Sequence, residues 1–231
     1  MVWLEPHRVY AGGQFHPLAG VPAADDLARI LATLPFGPTS WVVDDGWIPT
    51  LLLRDIVEIP QGAEARESFF RWRYSQDLLL EGPQFVQPLA LEDHAWLLAG
   101  MPQPQRDAWV QTASAAGRSM RSLVPRWLWL YNRLAPAQEV PGMLLSLLPQ
   151  GGGTFTGTLA AWGRSLTLLR QWTDPAPAEV WNQERVLPTI AYLQREARAP
   201  HALHVWGASH WPPCGLPAHI LPSGIPTEES L

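Results

Sequence analysis

Lysine is absent from the 231 residues, so all 16 basic side chains are arginine. Phosphate-loop lysines, Schiff-base lysines and lysine general bases are thereby excluded. With 21 acidic residues the net charge is 16 − 21 = −5, opposite in sign to the basic footprint of a nucleic-acid binder. One cysteine, Cys214, excludes an internal disulfide framework and a zinc site built from cysteine alone, and it suits a reducing compartment. No apolar run reaches the roughly 18 residues that a membrane span needs, and the N-terminus lacks the basic-then-apolar order of a signal peptide. A cytoplasmic chain without its own membrane span is expected.

Thirteen Trp and 24 Pro are high counts, but an Arg-rich, Lys-free composition points to a GC-rich coding bias that favours both. At 47% apolar and 16% charged, the chain can bury a substantial core. Val2–Leu4 and Arg8–Ala11 read as strands followed by a Gly12-Gly13 turn. Asp25 and Asp26 open a helix with Leu27, Ile30, Leu31 and Leu34 on one face, and Trp41–Val43 is an apolar strand ending in Asp44-Asp45-Gly46. The order is hairpin, helix, strand.

After the Pro- and Ala-rich junction at Ala135–Gly142 the order recurs. Met143–Leu148, Thr154–Ala161 and Ser165–Trp172 form a meander. A helix over Ala178–Arg198 follows, kinked or divided at Pro188, and His204–Gly207 is a strand. Between the copies lie strand Thr50–Ile59, helix Ala63–Leu80, strands Gln84–Leu91 and His94–Gly100 joined by a Glu92-Asp93 turn, helix Gln105–Ala116 with Gly117 as its C′ residue, and strand Arg118–Val124. That β-α-β-β-α-β order is a split βαβ unit. Pro125 opens a helix through Trp127–Tyr131, and the stretch from His210 to Leu231 is expected to be irregular.

A duplicated meander-helix-strand unit with a βαββαβ insertion in its first copy is an actin-like layout. On Trp41–Arg54, the passage Ala115-Ala116-Gly117-Arg118-Ser119-Met120-Arg121-Ser122-Leu123-Val124, and Met143–Gly207, the sequence resembles the PilM family of type IV pilus assembly proteins. More distantly it is similar to the cytoplasmic domain of the GspL family of type II secretion. The resemblance implies an α/β, actin-like (RNase H-like) duplicated core of mixed sheets flanked by helices: residues 1–46 as the first core half, 47–124 as the inserted subdomain, 125–207 as the second half and 208–231 as the tail. It also implies a non-enzymatic scaffold at the inner face of the membrane, with a groove beside the insertion for a short cytoplasmic segment of a membrane-anchored partner. A homo-oligomer stays open.

Nucleotide-binding proteins of this layout carry an acid and glycines at the turn of each meander. Here Glu5-Pro6-His7 has the acid without glycine, and Ser146–Gly153 has Gly151, Gly152 and Gly153 without an acid. Each half of a phosphate cradle is broken differently, so Glu5 and the three glycines read as vestiges, no cofactor is expected, and a nucleotide-dependent ATPase is the alternative. His201, His204, His210 and Cys214 have zinc-like spacing, but His204 falls in a buried strand, so a metal hydrolase is a weaker third reading.

Aromatic pairs at helical spacing, Phe69 with Trp72, Phe70 with Tyr74 and Trp127 with Tyr131, are core or interface. Trp72, Tyr74, Trp127 and Tyr131, with Arg71, Arg73 and Arg126 beside them, are the candidate partner-binding residues, because exposed Trp, Tyr and Arg together mark binding hot spots.

Overall fold

A computed structural model describes residues 1–18, 20–56, 58–92, 94–135 and 140–222. The chain divides into two compact units, Met1–Arg126 and Trp127–Leu231. The junction expected at Ala135–Gly142 and the end of the tail lie partly outside the described residues, as does Asp93 of the Glu92-Asp93 turn.

In the first unit, β1 (Val2–Glu5), β2 (Arg8–Ala11) and β3 (Gln14–Pro17) form an antiparallel meander. Its third strand, too short and polar to stand out in the sequence, follows the Gly12-Gly13 turn. Next come α1 (Ala24–Leu31) and β4 (Gly37–Val43), which lies parallel to β1. Alternate residues Val2, Leu4, Val9, Trp41 and Val43 join Leu27, Ile30 and Leu31 of α1 in one core, as a period of two against a period of 3.6 requires.

The middle of the chain departs from the expected insertion. Strands β5 (Thr50–Leu53), β6 (Gln84–Ala90) and β7 (Trp96–Pro102) make a separate antiparallel sheet ordered β5-β7-β6, covered by α2 (Ala63–Asp77). The next two elements, α3 (Gln103–Ala115) and β8 (Arg118–Pro125), belong instead to the core: β8 pairs in parallel with β4. Trp109 and Ala113 of α3 join Trp41 and the α1 leucines in the core. One antiparallel sheet over residues 47–124 is therefore not formed. The physical reason is that element order does not fix which sheet a strand joins, and parallel strands β4 and β8 need a long crossover between them, which the intervening small sheet and α3 supply. The main sheet is ordered β3-β2-β1-β4-β8.

The second unit repeats this plan. After α4 (Arg126–Leu134), which starts at the last residue of the first unit, come β9 (Gly142–Gly151), β10 (Thr154–Trp162) and β11 (Leu166–Pro177) as a meander. The helical segment that follows is divided: α5 (Ala178–Val180) widens into a π-helical stretch, Trp181–Val186, and resumes as α6 (Leu187–Arg195). Pro188 lies in the first turn of α6; lacking an N–H and crowding the preceding carbonyls, it cannot continue a regular α-helix, and the wider turn absorbs it.

Strand β12 (Leu203–Trp206) runs parallel to β9. The stretch expected to be irregular supplies a further strand, β13 (Ala218–Ile220), parallel to β12. Its three residues carry no periodicity, so only their pairing identifies them. The sheet order β11-β10-β9-β12-β13 is the order of the first sheet repeated. Met143, Leu145, Leu147, Leu159, Leu203 and Val205 pack on Trp181, Val186, Ile190 and Leu193.

Candidate functional site

The turns that would face a phosphate in each unit are occupied or bare. In the first, Glu5 is buried and accepts hydrogen bonds from Trp3 Nε1 at 3.1 Å and from Arg8 Nε at 2.6 Å. The Pro6 and His7 carbonyls of that turn accept from the Gly20 and Leu18 amides at 2.7 and 2.8 Å. The acid is thus neutralised by its own strand pair. In the second unit Gly151, Gly152 and Gly153 are exposed with φ of +88°, +60° and +77°, a tight glycine hairpin end.

Asp44 and Asp45 follow β4, both buried, and face the same cation from the first residue of α4: Arg126 lies with Nη1 3.3 Å from Asp44 Oδ2 and Nη2 3.5 Å from Asp45 Oδ2. Asp44 also accepts the Gly46 amide at 2.9 Å. Neighbouring residues on a strand point to opposite faces, and it is the turn beginning at Asp44 that lets one guanidinium reach both. Among the described residues no three or more His, Cys, Asp or Glu side chains gather as a metal site. Of the zinc-like set, Cys214 is buried with its thiol directed to the Leu216 carbonyl, and His204 stacks on His219.

The candidate partner residues separate by burial. Tyr74 and Trp127 are 0% exposed and Arg126 1%, so these three have no surface to offer a partner. Tyr74 packs under α2, its hydroxyl 2.7 Å from the Pro49 carbonyl and 2.9 Å from that of Gly100. Burial pushes that hydroxyl above the usual phenol range, against a smaller opposing effect of the Gly100 hydrogen bond. A Cβ at Gly100 would stand 2.9 Å from the Tyr74 ring and 2.6 Å from the Phe85 carbonyl, so the glycine makes room for the ring. Tyr131, half-buried in the second unit, sets its ring at an edge to Trp162, with centroids 5.7 Å apart.

What remains at the surface is the outer side of α2. Phe70 and Tyr74, four apart, turn inward; Trp72 is therefore directed outward and is 56% exposed. Phe69 lies against it, with centroids 6.4 Å apart. Arg71 pairs with Glu67 at 2.5 Å and Arg73 with Asp77 at 2.9 Å, and the Arg73 guanidinium sits 5.9 Å from the Trp72 ring. Such exposed pairs contribute little to stability, but they hold two forked donors on either side of one indole.

The end of α2 carries a feature that sequence reasoning missed. Leu80 N–H donates to the Ser75 carbonyl at 2.9 Å and Leu79 N–H to that of Gln76 at 3.3 Å, the paired bonds of a Schellman cap. Leu79 occupies its left-handed position, φ +53°, where glycine is usual, and is 88% exposed. A leucine there costs about 1–2 kcal/mol of backbone strain, with almost no burial to offset it. The signal lay in Asp77-Leu78-Leu79-Leu80 following a helix without a glycine stop.

No family model matches the chain, and no curated protein matches it. Among solved structures it is similar to a PilM–PilN type IV pilus biogenesis complex, with a TM-score of 0.61 at 12% identity over 94% of this chain and 86% of that one. It is also similar to the cytoplasmic domain of EpsL, an inner membrane component of the type II secretion system of Vibrio cholerae, with a TM-score of 0.48 at 15% identity over 88% of this chain and 79% of that one. At 12% identity the likeness to the PilM–PilN complex is one of fold, and the fold is the actin-like one expected.

Proposed function

We propose that the chain is a non-enzymatic scaffold of a type IV pilus or type II secretion-like assembly, which binds a short segment of a membrane-anchored partner on the outer side of α2. The observation that carries this reading is the fold shared with the PilM–PilN complex over 94% of the chain, combined with an exposed Trp72 on α2 and a strained, exposed Leu79 in the cap of that helix. Apolar groups held at a cost in stability are retained where something else uses them. Arg71 and Arg73 at the rim would take carboxylates or carbonyls of the segment as forked donors. Three further observations speak for binding without chemistry: Glu5 is engaged by Arg8 and Trp3, Asp44 and Asp45 are engaged by Arg126, and the sequence contains no lysine.

A photo-crosslinking residue placed at position 72 in the full chain, in cells that make the native assembly, tests this. The expected adduct is with a single-span membrane protein, through the segment preceding its apolar span. Absence of any adduct at 72, with adducts instead from control positions on the opposite unit, overturns the assignment of the surface.

A further inference from the structure

Six of the fifteen residues of α2 are charged, and they are confined to part of its circumference. Phe70 and Tyr74 mark the buried side, and at about 100° per residue Trp72 points away from them. None of the six lies within about 60° of Trp72 on either side. That outward stripe, about 120° wide, holds Ala65, Ser68, Trp72 and Gln76, all exposed, with Phe69 and Ser75 at its margins. A surface helix ordinarily carries its charges on the side opposite the core. Here they stand on the flanks instead, Glu67 paired with Arg71 on one and Arg73 with Asp77 on the other.

We propose that the partner segment binds this stripe as an amphipathic helix, apolar toward Trp72 and acidic beside Arg71 and Arg73. The proposal rests on the assignment of the partner to the outer side of α2, and it adds the conformation and charge of the occupant. The backbone of α2 is engaged in its own i→i−4 hydrogen bonds, so its surface offers side chains alone. An extended segment laid there would find no ladder for its amides and carbonyls, which strand addition requires. A helical segment satisfies its own. An uncharged stripe with charges along both flanks is also the pattern by which two helices pack along one another. The small side chains of Ala65, Ser68 and Ser75 let those of a partner helix seat beside the indole.

Charge selects between occupants. Arg71 and Arg73 flank Trp72 in the chain and lie on opposite sides of its indole, each bonded to one acid of α2 itself. A guanidinium has five N–H donors, so each has donors left for a carboxylate of the partner. A second copy of this chain fits worse. An antiparallel pair of α2 helices centred on Trp72 would set Arg71 against Arg71 and Arg73 against Arg73, and like charges facing each other across a helix pair repel. At 1.5 Å per residue α2 is about 22 Å long, so a partner segment of about 15 residues covers it.

Photo-crosslinking residues placed one at a time at positions 65 and 76 of the full chain, in cells that make the native assembly, measure the partner's conformation with Trp72 intact. The two positions stand about 16 Å apart along α2. Mass spectrometry of the crosslinked peptides locates the two attachment sites on the partner, which lie about eleven residues apart in a helix and about five in an extended segment. A separation near eleven, with Asp or Glu beside the sites, is the expected result. In a variant carrying both Arg71→Gln and Arg73→Gln the adduct yield from position 76 should fall at least tenfold. A separation near five overturns the helix while leaving the surface assigned. Adducts with a second copy of this chain, or a yield indifferent to the two arginine changes, overturn the acidic partner. No adduct from either position overturns the surface assignment along with the proposal.

Discussion

At the scale of single residues, burial decides roles that residue type leaves open. Arg126 has the composition of a binding hot spot and sits beside Trp127, yet it is 1% exposed and faces two buried carboxylates. Removing it takes the guanidinium away from two buried carboxylates, which costs far more than the net value of the pairs. Arg126→Met is expected to destabilise the first unit by about 3–5 kcal/mol, measured by urea unfolding; a loss within experimental error would mean that water reaches the carboxylates. The sequence marked Asp44 and Asp45 only as a strand end, because a charge pair that joins positions 44 and 126 through the end of a parallel strand has no local signature. Arg118 was hidden in the same way. Its guanidinium donates to the Leu34 and Ala116 carbonyls, tying the segments that follow α1 and α3, and it lies 4.5 Å from the Phe36 ring. Cations at helix ends are favourable, but a long-range cap cannot be read from spacing.

At the scale of elements, most helices and strands were legible because their periodicities were clean: Leu27, Ile30 and Leu31 of α1 all reach the core, as do alternate residues of β9. What was not legible was allegiance. The strand Arg118–Pro125 reads equally well as the end of an insertion or as a core strand, and only its pairing with Gly37–Val43 assigns it. The cap of α2 belongs to this scale too. Leu79→Gly relieves the left-handed strain and is expected to raise stability by up to about 1 kcal/mol, as a higher melting temperature. The same change should weaken partner binding. A mutation that stabilises the fold while reducing affinity separates a binding role from a structural one, and unchanged affinity would leave Leu79 without a function on this surface.

At the scale of the whole molecule, the two sheets share one strand order, and that duplication was the most readable property of the sequence. The meander-helix-strand order recurs with its own turns and stops, so it survives uncertainty at any one boundary. Function was less readable, because an actin-like fold serves enzymes and scaffolds alike and the distinction rests on a few side chains at turns. Titration calorimetry on the full chain with two ligands, Mg-ATP and a synthetic peptide of the membrane-proximal cytoplasmic segment of the crosslinked partner, tests the central claim most directly. The account predicts saturable heat with the peptide, a loss of about 2 kcal/mol or more of binding energy in Trp72→Ala, and no heat with Mg-ATP. Saturable binding of Mg-ATP, with a peptide affinity that is absent or indifferent to Trp72→Ala, would contradict it.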